Sequence, residues 1–380
     1  MQVGIVGASI AGLSVANVLH RHGFRVKVFE AFEHGFQNRG GALGFVDIGL
    51  VDDIRGTSKS SPPSSTRRFS NQVGGGAFFY GTVWKFLYEG LPKGTVSFGA
   101  PVQSLRDADS KQPKIVLEDN SIHTFDFVVG ADGGRSVVRS HVVGDKHSEA
   151  KYSGYTVYRG LVPGSEIDHA PRGDADHGKY HYTTLGFPCR NEKGEVLWNC
   201  GVYMPLLIKY VTKSLSRNRQ VSDNTKSVPD WFLPLMKRLF PNKKAVKFWS
   251  VCVEKGKVTQ HPVFEFGANK VTQNHLLIVG DAAHMISPRT GSGAYSAMLD
   301  AMALDDVLER TGSRTNGDEP ADLEQALHEY AEDGCNRAQQ FYRHSLSKKR
   351  EFMPLHEFDS PSPEDLLQDS VEVQTNNFFW

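Results

Sequence analysis

The chain has 380 residues, with 43 Lys+Arg against 43 Asp+Glu, so its formal net charge is zero; 39 % of residues are hydrophobic and 23 % charged. That composition is globular and excludes collagen, a disordered tail and a multi-span membrane protein. At about 150 residues per domain the length suggests two domains, or one interrupted by another, and neutrality gives no reason to expect nucleic acid or an anionic membrane as partner.

Val3–Val6 is a short β-branched run that enters a glycine turn with no basic segment before it, so it reads as a strand and not as a leader peptide. Ile10–His22 has apolar residues at helical spacing, and Gly23 stands at the C-cap position. Arg25–Glu30 alternates like a strand. This βαβ unit implies a parallel sheet. Gly56–Gly76 is rich in Ser, Pro and Gly and reads as a mobile surface loop. A helix over Val83–Leu91 follows, then strands over Val96–Ser104, Lys114–Glu118 and Phe125–Val129.

From Tyr152 to about Val263 the texture changes. Aromatic-rich runs at Tyr155–Leu161, Lys179–Phe187, Val196–Met204 and Val246–Val253 are split by polar loops such as Arg217–Pro229. They predict a mainly antiparallel sheet in an inserted domain over 151–262. The βα texture returns at His275–Val279 and continues with a helix over Gly293–Arg310. Ala321–Arg350 reads as one long polar helix and Phe358–Asp369 as a tail. The expected class is α/β: a Rossmann-like, mostly parallel sheet over 1–150 and 263–345, the inserted sheet, a C-terminal helix, and a tail over 346–380.

The cysteines, Cys189, Cys200, Cys252 and Cys335, form no C-x-x-C pair, so neither a disulfide framework nor a metal site is expected, and a reduced, cytoplasmic setting fits. No run of about 18 apolar residues predicts a membrane span.

Three glycine-bearing segments carry the chemistry. Gly7-Ala8-Ser9-Ile10-Ala11-Gly12 follows a strand and opens a helix, with Ser9 at the middle glycine of G-x-G-x-x-G and Glu30 ending the next strand. Gly7 permits the tight turn, a small residue at Ser9 admits a pyrophosphate, and Gly12 allows close helix–strand packing. The helix N-terminus offers free N–H groups to phosphate, and Glu30 suits ribose hydroxyls. In the second segment a buried strand runs into Gly130-Ala131-Asp132-Gly133, followed by Arg139. Taken alone, this equally describes a strand–helix turn with Asp132 as N-cap. The third places Gly280-Asp281-Ala282-Ala283-His284 after a strand, then Pro288 and the glycines Gly291 and Gly293 around Ser292 at a helix start. Asp281 suits a ribityl hydroxyl, and the amides of Gly291–Ala294 suit negative charge on a ring.

In this order and spacing the three segments resemble the fingerprints of the group A flavoprotein monooxygenases, the aromatic-hydroxylase fold, over about residues 1–345. Arg39-Gly40-Gly41-Ala42-Leu43-Gly44 is similar to the stretch that passes the flavin in that family. Thr82-Val83-Trp84, Pro288–Gly293 and Trp198–Pro205 are similar to stretches of its 2,6-dihydroxypyridine-hydroxylase-like branch. Ser9 and the missing glutamine at Ser292 depart from the family pattern.

The resemblance implies bound FAD, NAD(P)H as a transient co-substrate, and oxygen transfer from a flavin C4a-hydroperoxide to a small phenol-like or heteroaromatic molecule. It implies a monomer or homodimer, with no nucleic acid or membrane partner. It extends the cofactor residues to Ala31, Arg39, Gly41 and Val102. Candidates for substrate activation are His181, Tyr203, His284 and Arg289, with Tyr182 the alternating neighbour of His181; an aromatic filling the sheet core is the competing reading for each tyrosine. A flavin halogenase would carry W-x-W-x-I-P where this chain has Trp198-Asn199-Cys200. A flavin reductase of the same fold and a flavin-bound interaction protein remain as alternatives. His328-Glu329-Tyr330-Ala331-Glu332 lacks the second histidine of a zinc protease.

Overall fold

The structure, a computed structural model, describes residues 1–33, 41–43, 48–56, 77–177, 180–205, 228–312, 323–350 and 373–376. Its first sheet has six strands in the order Thr272–Gln273, Leu276–Ile278, Phe127–Gly130, Gln2–Val6, Arg25–Phe29 and Val96–Ser97. Every neighbouring pair is parallel except the first. Val3, Ile5, Val28, Val128 and Ile278 are fully buried, which explains the unbroken apolar runs: helices cover a parallel sheet on both faces. Helix Ile10–Arg21 packs on helix Gly293–Gly312, and Asp305 receives Arg21 at 2.5 Å and His22 at 2.7 Å.

The strand expected over Val96–Ser104 is two strands. Gly99, at φ +61°, and Pro101 turn the chain, so Val96–Ser97 closes the parallel sheet and Val102–Arg106 starts a three-stranded antiparallel sheet with Lys114–Leu117 and Ile122–Thr124. The expected helix Val83–Leu91 runs over Tyr80–Glu89, and the strand Phe125–Val129 over Phe127–Gly130.

A nine-stranded sheet forms the second layer. Its main path is His284–Met285, Val258–Gly267, Lys151–Pro163, Val196–Pro205, Tyr180–Arg190, Gly173–His177 and Val373–Asn376, antiparallel throughout. Ala77–Phe79 adds in parallel beside Tyr180–Arg190 and pairs with Ala42–Leu43. The expected strand Val246–Val253 is instead part of helix Lys243–Glu254, which buries Ala245, Phe248, Trp249 and Cys252. Their three- and four-residue spacing is helical, and the Asn242 side chain caps the helix by accepting from Lys244 N. With helix Phe232–Leu239, which the sequence reading did not anticipate, it seals one face of the sheet over Tyr158, Val162, Cys200 and Val202. The helix lies against Gly160, where a Cβ would meet Cys252 Sγ at 2.7 Å. The opposite face carries Tyr155, Val157, Tyr203 and Val263.

Helix Leu323–Arg350 joins the two layers. Tyr330 lies in the core of the parallel sheet, while Gln339 Nε2 donates to Gly267 O and Ala268 O at 3.0 and 2.8 Å, and Ser345 Oγ donates to Glu265. Among the described residues no helix is long and apolar enough to cross a membrane. Residues 57–76 of the expected loop, Lys179, most of Arg217–Pro229 and the segment Phe358–Asp369 lie outside the described residues. Because Phe248 is fully buried where helix meets sheet, Phe248→Ala is expected to lower unfolding stability by about 3–5 kcal/mol, read from urea denaturation midpoints.

Candidate active site

The three glycine segments converge at the carboxyl ends of adjacent parallel strands, where ligands of open α/β sheets bind. Gly7 has φ +98°, and a Cβ there would lie 2.5 Å from Ala131 O. A Cβ at Gly12 would lie 1.9 Å from Gly7 O, so neither position admits another residue without moving backbone. Gly280, at φ +57°, has the same restriction against the Ala11 side chain at 2.7 Å.

Around the first turn, Ser9, Ile10, Ala11 and Gly12 open helix Ile10–Arg21, whose first amides have no partner within the helix. Glu30 is buried and accepts from Ala8 N at 2.8 Å and Phe32 N at 3.0 Å, so its carboxylate holds the turn. Ala31 follows, exposed. Ala100 N donates to Glu30 O at 2.8 Å, which brings Val102 to the same rim. Two residues that sequence reasoning did not assign close the turn from the helix Tyr80–Glu89. Tyr80 Oη shares a 2.6 Å hydrogen bond with Ser9 Oγ, and Trp84 Nε1 donates to Ala8 O at 2.6 Å. Burial pushes the Tyr80 phenol up to about 12. The similarity at Thr82-Val83-Trp84 was the signal available for this clamp. Arg39 lies outside the described residues.

The second and third segments are tied by Arg139. Its buried guanidinium donates to Asp281 O and Ala282 O at 3.3 Å each, to Ser148 O at 2.8 Å and to Gly134 O, and stacks 4.3 Å over the Phe266 ring. Asp132 does not cap its own short turn; its Oδ2 accepts from Val137 N at 2.7 Å, while Ser136 caps helix Val137–Val143. Asp132 Oδ1 is buried with no hydrogen-bond partner among the described residues. Burial raises this carboxyl above the usual range.

Asp281 is exposed at the groove. Asp300 fixes the turn beside it, accepting from Gly280 N at 2.9 Å and His284 Nε2 at 2.7 Å. His284 is buried and packs against the Phe341 ring at 5.4 Å. Beyond it, Gly291 at φ +66° turns the chain after Pro288, and Gly291, Ser292, Gly293 and Ala294 lead into helix Gly293–Gly312. The missing side chains of Gly133 and Gly293 would meet nothing within 4 Å.

Two side-chain bonds join this turn to the inner face of the nine-stranded sheet. Tyr155 Oη donates to Ser287 Oγ, and Arg289 Nη1 donates to Thr183 Oγ1 at 2.9 Å. Thr183 is the cross-strand partner of Tyr203, whose ring lies 6.4 Å from that of Tyr155. Burial raises the Tyr203 phenol, against the pull of Arg159 and Arg289. The structure therefore brings Tyr203 and Arg289 together. His181 lies 3.3 Å from Asp174 on the strand face that also carries Thr183, and Tyr182 points into the helix-covered core. Gly41 packs on Arg159 and Asn199, inward-facing residues that sequence reasoning did not single out.

The arrangement fits an extended dinucleotide: a glycine turn with no room for side chains, an orphan acid oxygen at Asp132, and open space at Gly133 and Gly293. Comparisons with known proteins agree. Residues 234–345 match an FAD binding domain and residues 5–35 an NAD(P)-binding Rossmann-like domain. The 2,6-dihydroxypyridine-3-hydroxylase of Arthrobacter nicotinovorans superposes at TM-score 0.69 and 19 % identity, covering 96 % of this chain and 95 % of that one.

The chain has the fold of the group A flavoprotein monooxygenases.

Klebsiella pneumoniae HpxO, solved with FAD and uric acid, has the same fold at TM-score 0.65 and 18 % identity, over 94 % of this chain and 90 % of its own. In sequence, a salicylate hydroxylase of Sarocladium schorii is 28 % identical over 353 residues, covering 81 % of this chain and 71 % of that protein. An FAD-dependent monooxygenase of Stachybotrys chartarum is 26 % identical over 57 % of this chain, which spans 48 % of that relative. With its FAD-binding domain and these relatives, this monooxygenase-fold chain is an FAD-dependent oxidoreductase.

Two outcomes test the groove. Asp281→Ala is expected to lower flavin occupancy of the purified protein, read from the ratio of flavin to protein absorbance; unchanged occupancy would remove Asp281 from the site. The second concerns pH. Burial disfavours the His284 imidazolium, but Asp300 outweighs it and holds the pKa above its ordinary value. Burial likewise opposes the Asp300 carboxylate, and His284 overcomes it to hold that pKa down. The histidine contribution is complete below about pH 6.5 and is lost as pH rises through the raised value; the aspartate contribution is present above about pH 3.9 and is lost in acid. His284→Gln should therefore flatten the loss of stability expected as pH rises above about 6.5, read from urea midpoints.

Proposed function

We propose that this chain is an FAD-dependent monooxygenase that uses NAD(P)H and O2 to hydroxylate a small phenol-like or heteroaromatic molecule. The observation that carries the reading is the joining of the dinucleotide groove to an aromatic-lined sheet face through Arg289–Thr183 and Tyr155–Ser287. Residues 1–150 and 263–345 hold the cofactor and 151–262 present the substrate; the expected tail over 346–380 is corrected at two places, since the long helix runs to Arg350 and Val373–Asn376 is a strand beside Gly173–His177.

Residues at the Gly7–Gly12 turn, Glu30, Asp132 and Asp281 would hold the nucleotide and ribityl portion, and the amides near Gly291–Ala294 the ring. Bound FAD supplies the reaction with electrons and activated oxygen that no side chain provides. The protein's own residues orient, charge and dry the substrate. Tyr203, kept protonated by burial, donates a hydrogen bond to a phenolic oxygen. Arg289, anchored on Thr183, adds positive charge that favours the phenolate, the more electron-rich form for attack on oxygen. Val157, Val263 and Tyr155 exclude water from the face. His284, held on Asp300, acts as a positioning residue for the Gly280-Asp281 turn.

The test is NAD(P)H oxidation by the purified yellow protein against a panel of phenols and hydroxypyridines under labelled O2. Substrate-stimulated turnover with label in the product is expected. A protein without flavin, or product lacking the label, would overturn the reading, and anaerobic turnover would favour a reductase.

A further inference from the structure

We propose that Arg159 and Asn199, on the inner face of the nine-stranded sheet, form an anion subsite that binds a carboxylate on the aromatic substrate, with Asn199 accepting from a hydroxyl beside it. The inference rests on the monooxygenase reading above and narrows its substrate class.

Arg159 lies in strand Lys151–Pro163, two and four residues from Val157 and Tyr155, so alternation places it on their face, opposite the helix-covered Tyr158. It is half-buried, and among the described residues no carboxylate or other acceptor engages its guanidinium. An arginine partly withdrawn from water without a partner loses hydration that an anionic ligand would replace.

The groups around it do not neutralise that charge. His261, the cross-strand partner of Val157, shares a 2.8 Å hydrogen bond with Thr259 Oγ1. Burial, and then the Arg159 charge, push its imidazole down to about 3, so it is neutral near pH 7. Tyr203 is a protonated phenol, and Arg289 adds a second positive charge. Burial lowers the pKa of the Arg159 guanidinium itself, but from a starting point so high that it stays charged.

Asn199 supplies an independent observation. It is 5 % exposed, and its Oδ1 is buried without a hydrogen-bond partner among the described residues. That oxygen and the guanidinium lie under Gly41: a Cβ there would be 3.1 Å from Asn199 Oδ1 and 3.2 Å from Arg159 Nη1. A side chain at 41 would press on both polar groups, and glycine keeps that crowding away from them. A planar fork of N–H donors matches a carboxylate, and an orphan carbonyl oxygen needs a donor such as a hydroxyl. An aromatic acid with a neighbouring hydroxyl satisfies both.

The test titrates FAD-loaded protein with a panel of one-ring, fused-ring and heteroaromatic acids, including 2-hydroxybenzoate and benzoate, each beside its neutral carboxamide, following the flavin absorbance. At least one acid should bind about 30-fold or more tightly than its amide. Arg159→Met should abolish that gap while leaving amide binding and FAD occupancy unchanged, and Arg159→Lys should retain part of it. Asn199→Ala should weaken 2-hydroxybenzoate more than benzoate. FAD-loaded protein that binds no acid, or binds acids no better than amides, overturns the subsite but leaves the monooxygenase reading standing; so does an Arg159→Met variant that keeps the gap. Should Arg159→Met fail to fold, the wild-type acid-to-amide ratio and Arg159→Lys decide. A wild-type chain that cannot be loaded with FAD overturns both.

Discussion

The backbone at Gly7 passes so close to the backbone at Ala131 that no side chain fits between them. This contact fixes the rest of the groove. Gly7 N donates to Phe29 O at 2.8 Å, Ala131 N to Val6 O at 2.9 Å, and Val279 N to Gly130 O at 3.0 Å. A continuous ladder therefore carries the position of one turn to the next across four strands. Gly12 continues it by letting the first helix settle on Gly7, which aims that helix's N-terminus into the groove. Arg139 and Asp300 then lock the outer turns through backbone carbonyls and an amide, so the site is held mainly by main chain.

The nine-stranded sheet adds a second asymmetry. One face is spent on stability, where Phe232, Leu239, Phe248 and Trp249 cover it. The other is left to chemistry, with a small apolar cluster among polar and charged groups. Since adjacent residues of a strand point to opposite faces, Tyr155, Val157 and Arg159 serve the site while Thr156, Tyr158 and Gly160 serve the core. The sheet is registered against the cofactor side by two hydroxyl contacts, at Ser287 and Thr183. The helix Leu323–Arg350 backs this arrangement, because Ser345 receives Ser287 N at 2.8 Å.

The parallel sheet and its three turns were legible because each turn is specified within a few consecutive residues, where glycine has a local steric reason. The Tyr80 and Trp84 clamp was not, since it joins residues more than 70 positions apart and leaves no periodic trace. Val246–Val253 misled because its aromatic and β-branched residues suit a strand; the three- and four-residue spacing of Ala245, Phe248, Trp249 and Cys252 is helical, and Ala245 lies outside that run. Val96–Ser104 hid a break that a glycine and a proline two positions apart, Gly99 and Pro101, announce. Tyr203 and Arg289 were named from residue type alone, and it took the fold to join them through Thr183.

A zero net charge conceals how charge is distributed around the site. Glu265 is buried and interacts electrostatically with Tyr155, yet no ion pair joins it to an arginine among the described residues. Its oxygens accept from Ser153 Oγ at 2.7 Å and from Ser345 Oγ, so hydroxyls stabilise the carboxylate on the side of the long helix. A carboxylate satisfied this way has no need of Arg159 or Arg289, and His261 is held uncharged beside them. The positive potential of the sheet face thus survives in a region that contains an acid, because hydrogen bonding and not ion pairing satisfies that acid. Such a face attracts anions and stabilises a phenolate with the same residues, so binding an acid and activating a phenol are one electrostatic property of this pocket.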